Sequence, residues 1–119
     1  MKKMKRILSA LVILCIAMAF KSDQLFKTNL KINVRNELGN VEEGVSVQLF
    51  KSEEDYRNET NPATEAQMTD NKGDVKFKDL EPIIYFVNAE KGDKNNIGAG
   101  VQTDTLEEGK LNKITIIIE

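Results

Sequence analysis

Between Leu30 and Ile118 the apolar residues recur with a period of two, and no amphipathic helical pattern of useful length interrupts them. Leu30, Ile32 and Val34 alternate with Lys31, Asn33 and Arg35. Val45, Val47 and Leu49 alternate with Ser46, Gln48 and Phe50. Alternation of this kind marks strands buried on one face. A weak third strand is expected at 64–69 and a short fourth one at 75–78. A fifth is expected at 83–89, a sixth at 101–106 and a last one at 111–118, with Ile114, Ile116 and Ile118 on one face. Turn residues separate them at Leu38-Gly39-Asn40, Asp70-Asn71-Lys72-Gly73 and Glu107-Glu108-Gly109-Lys110. Residues 92–100, rich in Asn and Gly, read as a loop. Ser52 before Glu53, Glu54 and Asp55 predicts an N-cap with an acidic first turn, hence one helical turn that ends before Pro62. Seven short strands at this spacing predict an all-β sandwich or barrel. A parallel α/β fold lacks the helices it would need.

The first 19 residues have another character. Lys2, Lys3, Lys5 and Arg6 make a basic start, residues 7–18 are apolar but for Ser9, and Ala17-Met18-Ala19 follows. A basic n-region, a short apolar region and small residues one and three before a cut describe a secretory signal peptide. The apolar run is shorter than the roughly 20 residues of a bilayer span. Lipidation at Cys15 would want a small residue before it, and Leu14 stands there. The expected organisation is a signal peptide at 1–19, with its helix, a short tether at 20–29 and one β-sandwich domain at 30–119. The protein is then periplasmic or extracellular. It touches the membrane only through the leader or, as the lesser alternative, a lipid on Cys15.

Removing that leader changes the chemistry on offer. Thirteen basic residues (17 less the four of the leader) face 19 acidic ones, a net charge of −6. That charge disfavours nucleic acid, and no basic stripe stands out beyond Lys76 and Lys78. The remaining chain has no His, Cys or Trp. Disulfides are therefore unavailable to it, zinc lacks its usual ligands, and Ser22, Ser46 and Ser52 have no base or motif around them. The carboxylate pairs Glu42-Glu43, Glu53-Glu54-Asp55 and Glu107-Glu108 read as solvated surface. The oxygen-rich turns Asp70–Asp74 and Asp93-Asn95-Asn96 read as turn chemistry more readily than as calcium loops. Asn58-Glu59-Thr60 and Asp104-Thr105-Leu106 are short glycan-acceptor patterns. No cofactor and no catalytic residue is expected.

The order of motifs points to a family. Glu43-Gly44-Val45-Ser46-Val47-Gln48-Leu49 is followed by Thr69-Asp70-Asn71-Lys72-Gly73-Asp74-Val75-Lys76-Phe77, then by Leu80-Glu81-Pro82-Ile83-Ile84-Tyr85-Phe86-Val87. This resembles the carboxypeptidase regulatory-like domain, a transthyretin-like (prealbumin-like) β-sandwich, and is similar also to the B-type repeats of bacterial adhesins. The resemblance covers 30–118 and implies a seven-stranded antiparallel Greek-key sandwich. Ile83 stands where such domains usually have Gly. In this pattern Asp70 caps its turn, Gly73 takes the left-handed position, and Tyr85 points inward with Val87 and Ala89. Adhesin repeats can carry an internal Lys–Asn amide bond. Lys31 and Glu90 lie near the relevant places, but Asn112 is at the start of the last strand, not its end. The family acts as spacers, adhesion units and binding accessories, and fold analogy supplies no site.

Alternation also leaves apolar residues outside. With Tyr85 and Val87 inward, Ile84 and Phe86 face outward, as does Ile117 beside Ile116 and Ile118. Cover by the tether or a loop is one reading. A contact patch of Ile84, Phe86, Ile117 and Tyr56 is the sharper one. The loops at 52–61 and 91–100 are further candidate surfaces. The expected function is a secreted, non-enzymatic binding or structural module of the cell envelope, acting on an unknown envelope protein or by self-association. The alternative is an accessory carbohydrate-binding protein, for which Tyr56 is the best flat ring.

Overall fold

The computed structural model describes residues 27–119. The segment expected to be a signal peptide, Cys15 and most of the expected tether lie outside the described residues. The elements are β1 (Asn29–Asn36), β2 (Ser46–Phe50), α1 (Glu53–Asn58), β3 (Gln67–Met68), β4 (Asp74–Phe77), β5 (Phe86–Lys91), β6 (Lys94–Asn95) and β7 (Leu111–Ile118). They form two sheets of order β4-β1-β7 and β3-β2-β5-β6. The chain is a mostly β, two-layer structure.

The period-two residues meet between the layers. Leu30, Ile32 and Val34 of β1 and Ile116 and Ile118 of β7 face Val47 and Leu49 of β2 and Val87 and Ala89 of β5, with Val45, Phe77 and Tyr85 buried among them. Each Val, Leu, Ile or Phe among them contributes about 1.5–3 kcal/mol of burial relative to exposure. The hydroxyl of Tyr85 still has a partner, accepting from Glu81 N at 2.9 Å.

Four strand expectations are corrected. β1 and β7 pair parallel through eight residues, so the sandwich is not antiparallel throughout. Hairpin logic does not govern this pair, because β7 returns from the far end of the chain. The third strand shrinks to Gln67–Met68. Residues before it hold β2 otherwise, with Ala63 N donating to Leu49 O at 2.8 Å and Thr64 Oγ1 accepting from Leu49 N at 3.2 Å. The fifth strand starts at Phe86, because Ile83 N closes a turn on Glu81 O at 2.9 Å. The sixth, at 101–106, is no regular strand. It runs beside β5 through Val87 N to Val101 O at 2.7 Å and Thr103 N to Tyr85 O at 2.9 Å. Thr103 Oγ1 takes Tyr85 N at 3.0 Å and breaks the ladder there. The loop at 92–100 instead contains β6, hairpinned onto β5 through the Glu90–Asn95 and Lys91–Lys94 pairs.

The Asp70 turn forms as expected. Asp70 Oδ1 accepts from Lys72 N at 2.9 Å and Asp74 N at 3.0 Å, and Gly73 adopts φ +78°. Those bonds hold the Asp70 carboxyl below its usual value, the backbone N–H of Asp74 contributing most.

Candidate functional site

Helix α1 sits on the outer face of the four-stranded sheet. Ser52 caps it, its hydroxyl accepting from Asp55 N at 3.1 Å, and Glu53, Glu54 and Asp55 fill the first turn, where the helix dipole favours carboxylates. Glu59 ends it in the left-handed region at φ 53°. This short helix brings Tyr56 over the sheet. Its ring stacks on Phe86 with centroids 6.4 Å apart and meets Phe50 edge-on at 6.1 Å.

The outward strip is therefore covered in part by the chain's own helix. Phe50 is fully buried, while Phe86, Ile84 and Tyr56 remain half-buried. Tyr56, the flat ring considered for sugar stacking, is engaged with Phe86. Ile84, two residues before Phe86, shares its side of the chain. Ile117 does not join them. It lies on the other sheet, opposite Arg35 of β1.

Beside Tyr56 runs a groove of about 370 Å³, lined by Glu53, Tyr56, Arg57, Glu59, Asn88, Glu90, Ile97 and Val101. Arg57 is held by Glu53 at 2.6 Å, one helical turn away. Glu59 accepts from Asn88 Nδ2 at 3.4 Å, and Ile97 is 68% exposed at the rim. The groove thus offers an apolar floor with a carboxylate excess. Partial burial, then the charges of Glu90 and Glu59, push the Tyr56 hydroxyl above its usual pKa. Asn88, Glu90, Ile97 and Val101 escape single-strand reasoning, because they converge from β5 and two loops. The outward parity of Asn88 and Glu90 with Phe86 and the choice of the 91–100 loop as a surface signal three of them singly, but not their convergence.

The oxygen-rich turns serve the backbone. Asn95 Oδ1 accepts from Ile97 N at 3.0 Å, and Asn96 is wholly buried against β5. Among the described residues, no cluster of three His, Cys, Asp or Glu side chains is placed to hold a metal ion. The residues weighed for an internal amide bond are dispersed. Lys31 ion-pairs with Asp74 at 3.5 Å on the outer face, Glu90 belongs to the other sheet, and Asn112 Nδ2 donates to Asn29 O at 3.1 Å.

One sequence statement is corrected by this geometry. Lys76 does not stand with Lys78 alone. It lies on one sheet face with Lys31, Arg35 and Lys113, since Lys31 pairs with both Lys76 and Lys113 in register. The cations come from three strands far apart in sequence but adjacent in the sheet, so no linear stripe marks them. Glu42 gathers two more cations, Lys91 at 3.0 Å and Lys94 at 3.6 Å, with Asn36 Nδ2 at 3.2 Å. The bond from Lys91, then that from Asn36, lowers the Glu42 pKa.

No family model matches the sequence, and no curated protein matches it. Among solved structures, the chain is similar to the Bacillus anthracis TIE protein at 16% identity and a TM-score of 0.47, over 76% of this chain and 16% of that one. It is similar also to BcpA, the major pilin subunit of Bacillus cereus, at 15% identity and a TM-score of 0.49, over 78% of this chain and 30% of that one. The chain spans less than a third of the length of either. Likenesses at this level carry no function across.

Proposed function

We propose that this chain is a non-enzymatic interaction module that works outside the cytoplasmic membrane. A cleaved leader at 1–19 delivers it, a tether at 20–29 precedes the domain, and the domain at 30–119 is a Greek-key sandwich of the carboxypeptidase regulatory-like or adhesin-repeat kind. Its docking surface is the groove beside Tyr56 and Phe86, with Ile84 continuing the apolar strip. The single observation that carries this reading is the half-buried aromatic stack set against the carboxylates Glu59 and Glu90. Aromatic residues anchor interfaces because they bury much apolar area at little entropic cost. The carboxylates at the rim suit a protein segment that offers a cation next to an apolar side chain.

The test is capture from envelope extract on immobilised protein, with wild type, Tyr56→Ala and Glu90→Lys compared. Glu90 is exposed, so its reversal leaves the fold intact. Partners that bind wild type are expected to be lost with both variants. Retention of the same partners by both would end this assignment.

A further inference from the structure

β7 forms one edge of the three-stranded sheet. Asn29 N donates to Lys110 O at 3.0 Å, which sets the parity of the parallel ladder. Even-numbered residues of β7 turn their N–H and C=O groups to β1, and odd-numbered ones turn theirs away. Glu119 follows this parity, exchanging bonds with Asn95 at 3.2 and 3.0 Å on the far side. The backbone groups of Leu111, Lys113, Thr115 and Ile117 have no such partner among the described residues. An unpaired row of this kind is a template for another strand.

The edge is closed at its C-terminal end, where Glu119 pairs with Asn95, and over 111–117 the charge of Lys113 is its main blunting device. β7 has no Pro, and its register with β1 runs unbroken through eight pairs, so no bulge twists it away. Its core side ends in Ile114, only partly buried, beside the buried Ile116. Leu111 is 42% exposed on the other side. The outer face next to this edge is basic. Lys31 pairs with Asp74, whereas Arg35, Lys76 and Lys113 have no carboxylate at ion-pair distance among the described residues.

We propose that the free edge of β7 docks an extended acidic segment of a partner protein, added to the sheet as its fourth strand. Alternate residues of that segment face opposite ways. Apolar ones lie against Ile114 and Ile116, and carboxylates lie against Lys113, with the unpaired Arg35 one strand further in. A second copy of β7 is a poorer occupant, because it would bring its own Lys113, Lys31 and Arg35 beside these. This surface is separate from the Tyr56 groove, on the other sheet and of opposite charge.

The test is titration of ¹⁵N-labelled protein with a capped peptide of alternating Glu and Val, against one of alternating Lys and Val. The acidic peptide is expected to shift the amides of Leu111, Lys113, Thr115 and Ile117 and to bind at least about fivefold tighter there than the basic one, as cross-strand charge pairs allow. Lys113→Glu should reverse that preference. Thr115→Pro, tolerated where the N–H faces away from the ladder, should abolish the shifts with the rest of the spectrum unchanged. Equal binding of the two peptides at β7, or shifts confined to the Tyr56 groove, would overturn the proposal. So would concentration-dependent self-pairing that excludes the acidic peptide. Loss of envelope capture at the groove leaves these β7 readouts unaffected, so the two readings fail separately.

Discussion

Asn96 takes the place of a strand residue beside Val87. Its Nδ2 donates to Val87 O at 2.8 Å, and its Oδ1 accepts from Ala89 N at 3.1 Å. The carboxamide thereby extends the four-stranded sheet where β6 has already turned off, and a second bond from Nδ2 to Gly100 O at 3.1 Å ties down the following loop. Asn96 is wholly buried. Substituting Asn96→Ala removes three bonds and leaves Val87 O and Ala89 N without partners inside the protein. The expected loss is about 2–4 kcal/mol, from about 1–3 kcal/mol for each buried group left unsatisfied, partly relieved by entering water. Urea unfolding of wild type and variant measures it. A loss below about 0.5 kcal/mol would mean that the carboxamide does not hold this edge.

Gly73 is constrained twice. Its φ of +78° suits glycine, and a Cβ there would stand 2.7 Å from Val34 O and 3.0 Å from Val41 Cβ. Val34 O cannot retreat freely, since it accepts from Glu42 N at 3.0 Å. Gly73→Ala is expected to cost about 2 kcal/mol or more, the sum of left-handed strain and crowding. Gly44→Ala is the control, with φ +75° and nothing near its Cβ, so it carries the strain alone. Thermal melts should rank Gly73→Ala below Gly44→Ala. The reverse order would remove the crowding argument.

Residues 111–118 are legible in full because β7 has strong alternation and clear turn residues before it. The Asp70 turn and the Ser52 cap are legible for a similar reason: their bonds are local, between residues within five positions. Direction of pairing is not local, so the parallel match of β1 with β7 could not be read from either strand. The segment 101–106 failed because Thr103 spends its hydroxyl on Tyr85 N, a tertiary event with no sequence period. Of the candidate patch, Tyr56 and Phe86 meet, but their meeting depends on where α1 lands. Ile117 has the right parity and the wrong sheet.

Acid sensitivity follows from two carboxylates. Asp70 is lowered by the backbone N–H of Asp74 and Lys72, and Glu42 by its bonds from Lys91 and Asn36. A lowered folded pKa means that the unfolded chain takes up protons first. The stabilisation is complete above the unfolded carboxyl pKa of about 4 and is lost as pH falls through the folded values. Urea midpoints should therefore drop on acidification below about pH 4. Asp70→Asn should weaken that drop, because its side chain accepts the same bonds without titrating. A midpoint profile identical to wild type would rule Asp70 out as a contributor.

Tyr56 gives the matching test at high pH. Burial raises its pKa first, and the nearby Glu90 and Glu59 raise it further. A raised folded pKa keeps the proton on the folded protein, so the stabilisation is present below the unfolded tyrosine value of about 10 and lost as pH rises through the folded one. Carbon NMR of the Tyr56 Cζ should show ionisation above that of a free tyrosine. Glu90→Gln removes one of the two charges and should bring the midpoint down, and Glu59→Gln should do so less. Tyr56→Ala should separate packing from charge. It removes the stack on Phe86, exposes Phe50, and is expected to cost about 1–3 kcal/mol, at the lower end of large aromatic truncations because the ring is only half-buried. If neither Gln substitution moved the Tyr56 midpoint, the carboxylates would not face the ring, and the acidic character assigned to this groove would fall with them.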